Sequence, residues 1–428
     1  MRKFLDAGRQ AGFREADLRR LRLESVEWQG GAGEAVTFRR GTSHTVALRG
    51  FRDHGFPVGG CVSMPTLKEV RRVYRELQRV GVTGTGTGFS DLLPDAARKV
   101  PLSIHDPRIS EAESLGEEMD SRISELMIRQ SGIELAGWRL RAEERKVNVA
   151  NTRGLEAKYR KTLFSLTLRL RDGDREVEVE EQRTHWLQLQ PDRLLGRAVF
   201  LLGPRSGRNP PRWRSVGLVL SPFASASVLR DFAAALRVSG EYSPGDIRCA
   251  PQVQIIDSPL VDGMPGSVPM DDEGVMARET PLVEGGRFKA RVTDLAGAAR
   301  EGCPITGNGF RGIADPFPRA GFTNLCIRPS VISLERMLKE TGRGILITRL
   351  RLRGASGTDR TYGAEGYLFK GTELGEPVRF ALRTAFLSYF LKIDRVSRES
   401  VPTVSGGISV ISPYLRVEAL RRGDEWVV

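Results

Sequence analysis

Residues 255–308, IIDSPLVDGMPGSVPMDDEGVMARETPLVEGGRFKARVTDLAGAAREGCPITGN, decide the fold of this chain. They contain an acidic turn (271–274), a Gly-Gly turn (285–286), a strand-like run (288–292) and a polar loop (306–308). Dense turn signals between short apolar runs predict strands that meet at loops. Loops carried by a rigid sheet commonly hold binding residues. We therefore expect a functional site in this stretch.

Composition argues against several classes of protein. The chain has 428 residues, 40% of them hydrophobic, which is enough for two or three globular domains. The net charge is +13, but the basic residues are scattered, whereas nucleic-acid binders more often show a basic stripe or tail. The polar N-terminus argues against a signal peptide, and no apolar run reaches the roughly 18 residues of a membrane span. We therefore expect a soluble, cytoplasmic protein with no membrane association and no nucleic-acid partner.

Turn-rich segments predict three regions. They are residues 1–82, an N-terminal α/β region; residues 110–202, a helix followed by antiparallel strands; and residues 213–428, a mostly-β region. A Gly-Thr repeat at 81–88 and the segment GPRSGRNPP at 203–211 are interpreted as linkers. The predicted fold class is α+β. Antiparallel sheets with a few covering helices form the N-terminal half, and the C-terminal domain is barrel- or sandwich-like.

Two hairpins are predicted in the N-terminal half. The clearer one pairs residues 163–171 with 176–180, because leucines alternate with polar residues on one side and valines with glutamates on the other. The second is predicted from two alternating runs that flank Gly41 and Thr42. Both hairpins are interpreted as structural elements without a binding role.

Capping signals predict where several helices begin. Thr66 followed by Glu69 forms a capping box, and Ser110 is predicted to form another. Ser221 followed by Pro222 is predicted to cap a helix after a buried strand. A helix of about ten residues is predicted at 333–342, between a capping serine and a terminal glycine.

No catalytic motif is evident from the residues alone. The sequence contains no H-E-x-x-H, H-E-x-x-x-H, G-x-S-x-G or P-loop pattern, and its cysteines and histidines lack zinc-site spacing. The adjacent acids of residues 271–273 more often form a cap or a hydrogen-bonding corner than a cation site, where ligands usually alternate. The amides of Asn308 and Asn324 could hold an extended peptide backbone, or the residues could serve turn conformation alone.

The order of these motifs resembles that of the TldD/PmbA family, also known as the "modulator of DNA gyrase" family. The similar segments include NVANTRGLEAKYRKT, IIDSP, MDDEGV, LVEGGRFKA, PITGNGFRG and PFPRAGFTNLCIRPS. They match the family's N-x-x-G strand pair, DDEG-like turn, short E-G-G turn, T-G-N loop and Pro-Arg-Asn strand. The resemblance covers nearly the whole chain, although the chain is somewhat short for the family.

The resemblance also indicates which type of subunit this is. In TldD-type members a leucine-rich strand runs into H-E-x-x-x-H, where two histidines bind zinc and the glutamate acts as general base. Ser221, Pro222 and Ala226 occupy the positions of these three residues in this sequence. The cysteine ligand expected near the C-terminus is also missing from SVPTVSGGISVISPYLRV. The chain is therefore similar to the TldE, or PmbA, type, which pairs with TldD.

The resemblance implies a pseudoenzyme in a heterodimer. Such a subunit has no catalytic or metal-binding residue and no cofactor of its own. A TldD-type partner carries the zinc and cleaves unfolded peptides, including modified natural-product precursors. The TldE-type subunit closes the chamber and lines the peptide channel.

Nine residues are candidates for the peptide channel or the subunit interface because they stand in the family's motifs. These are Asp271, Asp272, Glu273, Gly274, Thr306, Gly307, Asn308, Arg319 and Asn324. An alternative is a stand-alone module that binds peptides or proteins and has no protease activity. A third possibility, a hydrolase with unrecognised ligands, is opposed by the missing zinc motif.

Overall fold

The structure is a computed structural model of the chain. It describes residues 1–31, 35–53, 57–80, 90–98, 100–130, 132–203, 209–210, 215–237, 245, 247–357, 359–385, 389–405, 407–421 and 426–427. No helix in these ranges is long and apolar enough to cross a membrane. The Gly-Thr repeat and most of the second predicted linker lie outside the described residues.

A six-stranded antiparallel sheet forms the N-terminal half. Its strands are β1 (Glu15–Gly30), β2 (Thr37–Phe51), β3 (Val58–Ser63), β4 (Glu134–Asn151), β5 (Glu156–Asp172) and β6 (Arg175–Arg183). Their spatial order is β3-β2-β1-β4-β5-β6. Because β1 pairs with β2 on one side and β4 on the other, the first two predicted regions share one sheet. The exact region boundaries stay a prediction.

Four helices cover one face of this sheet. They are α1 (Arg2–Gln10), α2 (Leu67–Arg79), α3 (Ala112–Ile128) and α4 (Pro191–Leu202). Side chains alternate between the two faces along a strand, so Leu18 and Trp28 of β1 both point towards the helices. Leu18 lies in a core cluster with residues of α1 and α2. Trp28 lies in a separate cluster with residues of α3 and α4.

The first of the two predicted hairpins is confirmed and the second is wrong. β5 and β6 pair with Arg171 opposite Glu176, as the alternating pattern predicts. Residues 41–42, in contrast, continue through the middle of β2. They stay extended because β1 is long enough to pair with β2 from Thr37 to Phe51.

Of the two predicted capping boxes, one is confirmed and the other is wrong. The box at Thr66 is confirmed, with Glu69 N donating to the Thr66 hydroxyl and the Glu69 carboxylate accepting from the backbone of Thr66. The box at Ser110 is wrong, because α3 begins only at Ala112 and Ser110 lies in a preceding 3₁₀ turn. The Ser110 hydroxyl donates instead to the Pro107 carbonyl at 2.9 Å.

The C-terminal half is mostly β. Its strands are β7 (Ser215–Leu220), β8 (Ile255–Asp257), β9 (Thr280–Glu284), β10 (Arg287–Phe288), β11 (Gly309–Phe310), β12 (Arg319–Ala320), β13 (Asn324–Ile327), β14 (Arg343–Ser356), β15 (Asp359–Lys370), β16 (Glu373–Ala385), β17 (Ile393–Ser405), β18 (Ile408–Arg421) and β19 (Trp426–Val427). All but β11 and β12 belong to one mixed sheet. β13 runs parallel to β18, and β7 runs parallel to β14, while the other neighbours are antiparallel. Over the described ranges the sheet is open rather than a closed barrel.

Three helices accompany this sheet. They are α5 (Pro222–Phe232), α6 (Leu295–Glu301) and α7 (Leu334–Thr341). α5 lies in the main core with Leu229 and Phe232 fully buried. α7 confirms the predicted helix between a capping serine and a glycine. The sequence analysis missed α6, although Asp294 caps it and Gly302 ends it in the left-handed conformation.

Candidate functional site

At the junction between β7 and α5, Ser221, Pro222 and Ala226 serve the start and the packing of the helix. The Ser221 hydroxyl caps α5 by accepting from Ala224 N at 3.3 Å, and it donates to the Thr348 carbonyl at 3.1 Å. Pro222 occupies the first turn, where a missing N–H costs nothing. Ala226 is 1% exposed.

These three side chains do not fit a zinc ion. A hydroxyl already engaged in two hydrogen bonds, a proline ring and a methyl group supply none of the usual zinc donors. No group of three or more His, Cys, Asp or Glu side chains elsewhere in the described ranges is arranged to hold a metal. The β7–α5 junction therefore does not form a zinc site of the H-E-x-x-x-H type.

The acidic turn is a buried hydrogen-bonding corner. Asp271 accepts from three backbone amides, those of Glu273 at 3.0 Å, Val275 at 2.9 Å and Gly309 at 2.8 Å. Burial, followed by the neighbouring Glu273 carboxylate, raises the pKa of Asp271 well above its ordinary value. This arrangement matches the corner interpretation of the sequence.

The next two acids of the turn reach across to the N-terminal sheet. Asp272 accepts from Arg19 Nη1 of β1 at 3.1 Å and from the backbone of Arg311 at 2.7 Å. Glu273 accepts from Arg49 Nη2 of β2 at 2.9 Å and from the backbone of Leu295 at 2.8 Å. The turn therefore joins the two halves of the protein.

Asp17 of β1 completes this buried network. Its carboxylate accepts from the guanidinium of Arg49 and, at 2.9 and 3.0 Å, from Arg311 Nη2. Burial by itself would raise the pKa of Asp17, but Arg311 and Arg49 outweigh burial and hold it below its ordinary value. Burial raises the pKa of Glu273, although Arg49 opposes that rise. Three arginines and three carboxylates thus balance each other at the contact, and we call this set, Asp17, Arg19, Arg49, Asp272, Glu273 and Arg311, the interdomain ion network.

Asn308 contributes to a second buried cluster. Its side-chain amide donates to Asp257 Oδ2 at 2.7 Å and to the Gly321 carbonyl at 2.9 Å. Asp257 also accepts from the backbone and hydroxyl of Thr323, at 2.8 and 2.9 Å. In the described ranges no lysine or arginine side chain pairs with this carboxylate, and burial raises the pKa of Asp257 to about 6.

Asn324 is equally occupied inside the protein. Its side-chain amide donates to the Ser258 carbonyl at 2.7 Å and to Ser267 Oγ at 2.9 Å. Its oxygen accepts from the backbone of Gly266 and from Ser409 Oγ. Its four hydrogen bonds hold strands and loops of the same chain together.

The remaining candidates differ in exposure. Thr306 is 2% exposed and accepts from the backbone of Thr293 at 2.8 Å. Gly274 and Gly307 both have positive φ, +85° and +78°, a conformation that favours glycine. Arg319 is the exception, because 84% of its side chain is exposed.

The structure thus brings most of the predicted residues together, but in the interior. The turn, the 306–308 loop and Asn324 surround the same buried polar region, whereas Arg319 faces outward. Their assignment to a peptide channel or a subunit interface stays a prediction. Sequence reasoning missed Asp17, Arg19, Arg49, Arg311 and Asp257. The available signal was weak: a charged residue among apolar neighbours in a predicted strand, such as Arg49 in TVALRGF.

Part of the sequence matches known metallopeptidases. Residues 219–423 match the family described as the PmbA/TldA metallopeptidase C-terminal domain. A metalloprotease of Methanocaldococcus jannaschii is 30% identical over 168 residues, which are 38% of this chain and 35% of that protein. A zinc metalloprotease TldD homolog of Saccharolobus solfataricus is 30% identical over 189 residues, 40% of this chain and 41% of that protein. The chain therefore matches well under half the length of these relatives.

The fold extends the likeness to the whole chain. The crystal structure of TldE from Thermococcus kodakarensis superposes with a TM-score of 0.81 and 21% identity, covering 98% of this chain and 99% of that one. At this identity the match establishes a shared fold. Residues 219–423 thus match the C-terminal domain of this family, and the fold of the whole chain resembles that of a TldE protein.

Proposed function

We propose that this chain is a non-catalytic, TldE/PmbA-type subunit of a TldD/TldE-like metallopeptidase complex. The complex would degrade or process unfolded peptides, including modified natural-product precursors. This chain would close the chamber and line the peptide channel, while a TldD-type partner supplies the zinc. The observation that carries the proposal is the state of the zinc-motif positions, where Ser221 caps a helix, Pro222 begins it and Ala226 packs in the core.

The partial match to the TldD/PmbA family, the shared fold and the buried network support a scaffolding role. Two partial relatives are named as metalloproteases, and the chain shares its fold with TldE. The interdomain ion network fixes the N-terminal sheet against the acidic turn through side chains that are nearly inaccessible to water. A catalytic subunit would need metal ligands at the β7–α5 junction, which Ser221, Pro222 and Ala226 do not supply.

The test is a pull-down of the tagged protein from its own cell extract, followed by zinc analysis of the eluate. We expect a stoichiometric partner that carries H-E-x-x-x-H and zinc, and peptidase activity on unfolded peptide only when both chains are present. A lone protein that contains stoichiometric zinc and cleaves peptide would overturn the proposal. A lone protein with neither zinc nor activity would favour the stand-alone binding module instead.

A further inference from the structure

The outer side of the C-terminal sheet is covered only in part. Tyr362 and Ala364 of β15 are buried in the main core. Because side chains alternate along a strand, Gly363 and Glu365 point to the opposite, outer side. α7 packs on this side at one end of the sheet, where it shares a small core cluster with Phe369. Towards the other end, the outward residues of β14, β15 and β16 are exposed or half-buried, so this part is accessible to a partner.

Arginines dominate the accessible part of this side. The register places Arg349 and Arg379 on either side of Glu365. Arg351 stands opposite Gly363, and Arg383 stands opposite Thr361. Residues paired across an antiparallel sheet project to the same side. Arg353 reaches this side too, since a Cβ added to Gly363 would lie 2.9 Å from Arg353 Nε. We call this set the arginine face: Arg349, Arg351, Arg353, Arg379 and Arg383.

Most of this positive charge has no counterpart within the chain. Two carboxylates stand beside the arginines, and both are already engaged. Asp359 pairs with Arg383 at 2.8 Å, and Glu365 has a long contact of 3.9 Å with Arg379. The other three members of the arginine face form no ion pair with any residue in the described ranges. Their charges are therefore available to an external acidic group.

The surroundings of the arginine face resemble a protein interface. Gly363 and Ala381 stand opposite each other, so the centre of the face has no long side chain and permits close approach. At its border Tyr367 stacks on Phe200 of α4, with ring centroids 5.2 Å apart, and Phe200 is 38% exposed. Arginine and aromatic residues are enriched in protein–protein interfaces. Because the two rings stack on each other, they offer no open platform for nucleic-acid bases.

Charge also indicates which protein fits. A two-fold contact between identical chains brings the same surface patch of both copies together. Across the arginine face, such a contact would set arginine against arginine in a chain whose net charge is +13. An acidic surface on a different chain meets no such repulsion. Alternate residues of a strand lie about 7 Å apart, so Arg349 and Arg351 present two cations at that spacing.

We propose that the arginine face docks an acidic surface of the TldD-type partner subunit. Carboxylates of the partner pair with Arg349, Arg351 and Arg353, whose planar guanidinium groups suit two-pronged pairing with a carboxylate. Phe200 lies at the border of the contact. The inference rests on the proposed function, because it names the surface through which this chain meets its partner.

Titration calorimetry between the two chains, each expressed alone, tests the docking. The probe is the zinc-bearing chain identified in the pull-down. We expect Arg351→Glu to weaken the affinity by about tenfold or more, and we expect the wild-type affinity to fall as salt concentration rises. Arg139→Glu is the matched control with unchanged affinity, because Arg139 is an exposed strand residue of the other sheet and forms no ion pair in the described ranges. Equal losses in both variants would show only general attraction to a basic protein and would overturn the site.

A carbodiimide cross-link locates the contact without loss of charge. Arg351→Lys keeps the positive charge and supplies an amine. The carbodiimide joins this amine to a carboxylate in direct contact, forming an amide, and takes up the released water as a urea. We expect mass spectrometry to find position 351 joined to an aspartate or glutamate of the partner, and to find no such link for Arg139→Lys. Cross-links that never include position 351 would overturn the docking.

Other occupants of the arginine face have their own outcomes. A labelled DNA duplex is titrated in parallel, and the free chain is examined by sedimentation. DNA binding that Arg351→Glu abolishes, with unchanged affinity for the partner, would overturn the proposal and assign the face to nucleic acid. Self-association that the same variant abolishes, again with unchanged affinity for the partner, would assign it to a second copy.

Failure of this inference can be told apart from failure of the proposed function. A zinc-bearing partner that binds Arg351→Glu as tightly as the wild type would overturn the arginine face alone. Absence of any TldD-type partner from the pull-down would overturn both.

Discussion

Arg49 Nη2 donates to Glu273 Oε1 over 2.9 Å, although the two residues are 224 positions apart in the sequence and both side chains are at most 2% exposed. The same guanidinium contacts Asp17 of its own sheet. One cation therefore compensates two buried carboxylates that belong to different halves of the protein. Arg49 is therefore one of three arginines that hold the two halves together, with Arg19 and Arg311.

Arg49→Met is expected to destabilise the protein strongly. Removing one partner of a buried ion pair leaves the other charge uncompensated, which typically costs about 3–5 kcal/mol. The measurement is the free energy of unfolding from denaturant titration. Arg383→Met is the matched control, because its pair with Asp359 at 2.8 Å is exposed and such pairs contribute about 0–1 kcal/mol. Similar small losses in both variants would contradict the role of the interdomain ion network.

Asp257 should make stability depend on mildly acidic pH. Burial raises its pKa from the ordinary 3.8 to about 6, so between these values the native state holds a proton that the unfolded state has lost. Stability from this group is complete below pH about 4 and is lost as pH rises through about 6, by roughly 3 kcal/mol.

Asp257→Asn removes this titration, so the difference between its unfolding free energy and that of the wild type should change over that pH range. We also expect the variant to be less stable at low pH, because its amide would face the donors of Asn308 or Thr323. A constant difference between pH 4 and 7 would show that Asp257 does not titrate in this window.

Lys161 should make the protein more stable as pH rises above neutral, the opposite of the effect of Asp257. Its ammonium donates to the carbonyls of Pro265 and Ser267, and burial lowers its pKa to about 7 from the ordinary 10.5. Between these values the unfolded state holds a proton that the native state has lost, so this group makes stability rise with pH. Lys161→Met should remove that rise, whereas Lys158→Met, at an exposed position of β5, should keep it. The measurement is the free energy of unfolding from pH 6 to 10. If it changes with pH in the same way for wild type and Lys161→Met, Lys161 does not titrate in this range.

Gly274 is required for space as well as for backbone conformation. A Cβ there would lie 2.0 Å from Leu155 Cδ2 across the domain contact, and φ is +85°. Gly285 offers a matched control, because its φ is +57° and no atom lies within 4 Å of an added Cβ. Gly285→Ala should cost about 1 kcal/mol from conformation alone. Gly274→Ala should cost at least about 2 kcal/mol, because overpacking is added. Equal costs in thermal or denaturant unfolding would show that Leu155 moves aside.

Local features of the fold could be predicted from the sequence, and distant ones could not. The β5–β6 hairpin and the cap at Thr66 depend on residues a few positions apart, where alternation and capping are legible. The turn predicted at Gly41 and Thr42 was wrong because the whole length of β1 pairs with β2. This pairing keeps β2 extended from Thr37 to Phe51. Pairing of β1 with β4 likewise joins segments separated by a hundred residues, and no local pattern specifies it.

The buried polar region shows the same division. The acidic turn could be recognised as a corner because the acceptors and several donors are neighbours, as with Asp271 and the amide of Val275. The partners of Asp272 and Glu273 could not be found, because arginine is common in this chain and the apolar neighbours of Arg49 do not indicate which carboxylate it meets. Tertiary pairing of charges requires the fold to be known first.

Restoring the zinc motif is expected to damage the fold rather than create a peptidase. The variant is Ser221→His, Pro222→Glu and Ala226→His together. Ala226 is 1% exposed, so an imidazole there should lower the free energy of unfolding by about 2–4 kcal/mol through overpacking and desolvation. Loss of the Ser221 cap should lower it by about 1 kcal/mol more. Ser227→His, at a half-buried position one residue further along α5, is the matched control and should cost less. Denaturant unfolding and equilibrium dialysis with zinc test both parts. A stable triple variant that binds one zinc per chain would contradict this prediction. It would show that the backbone of the β7–α5 junction can hold zinc once the ligands are supplied.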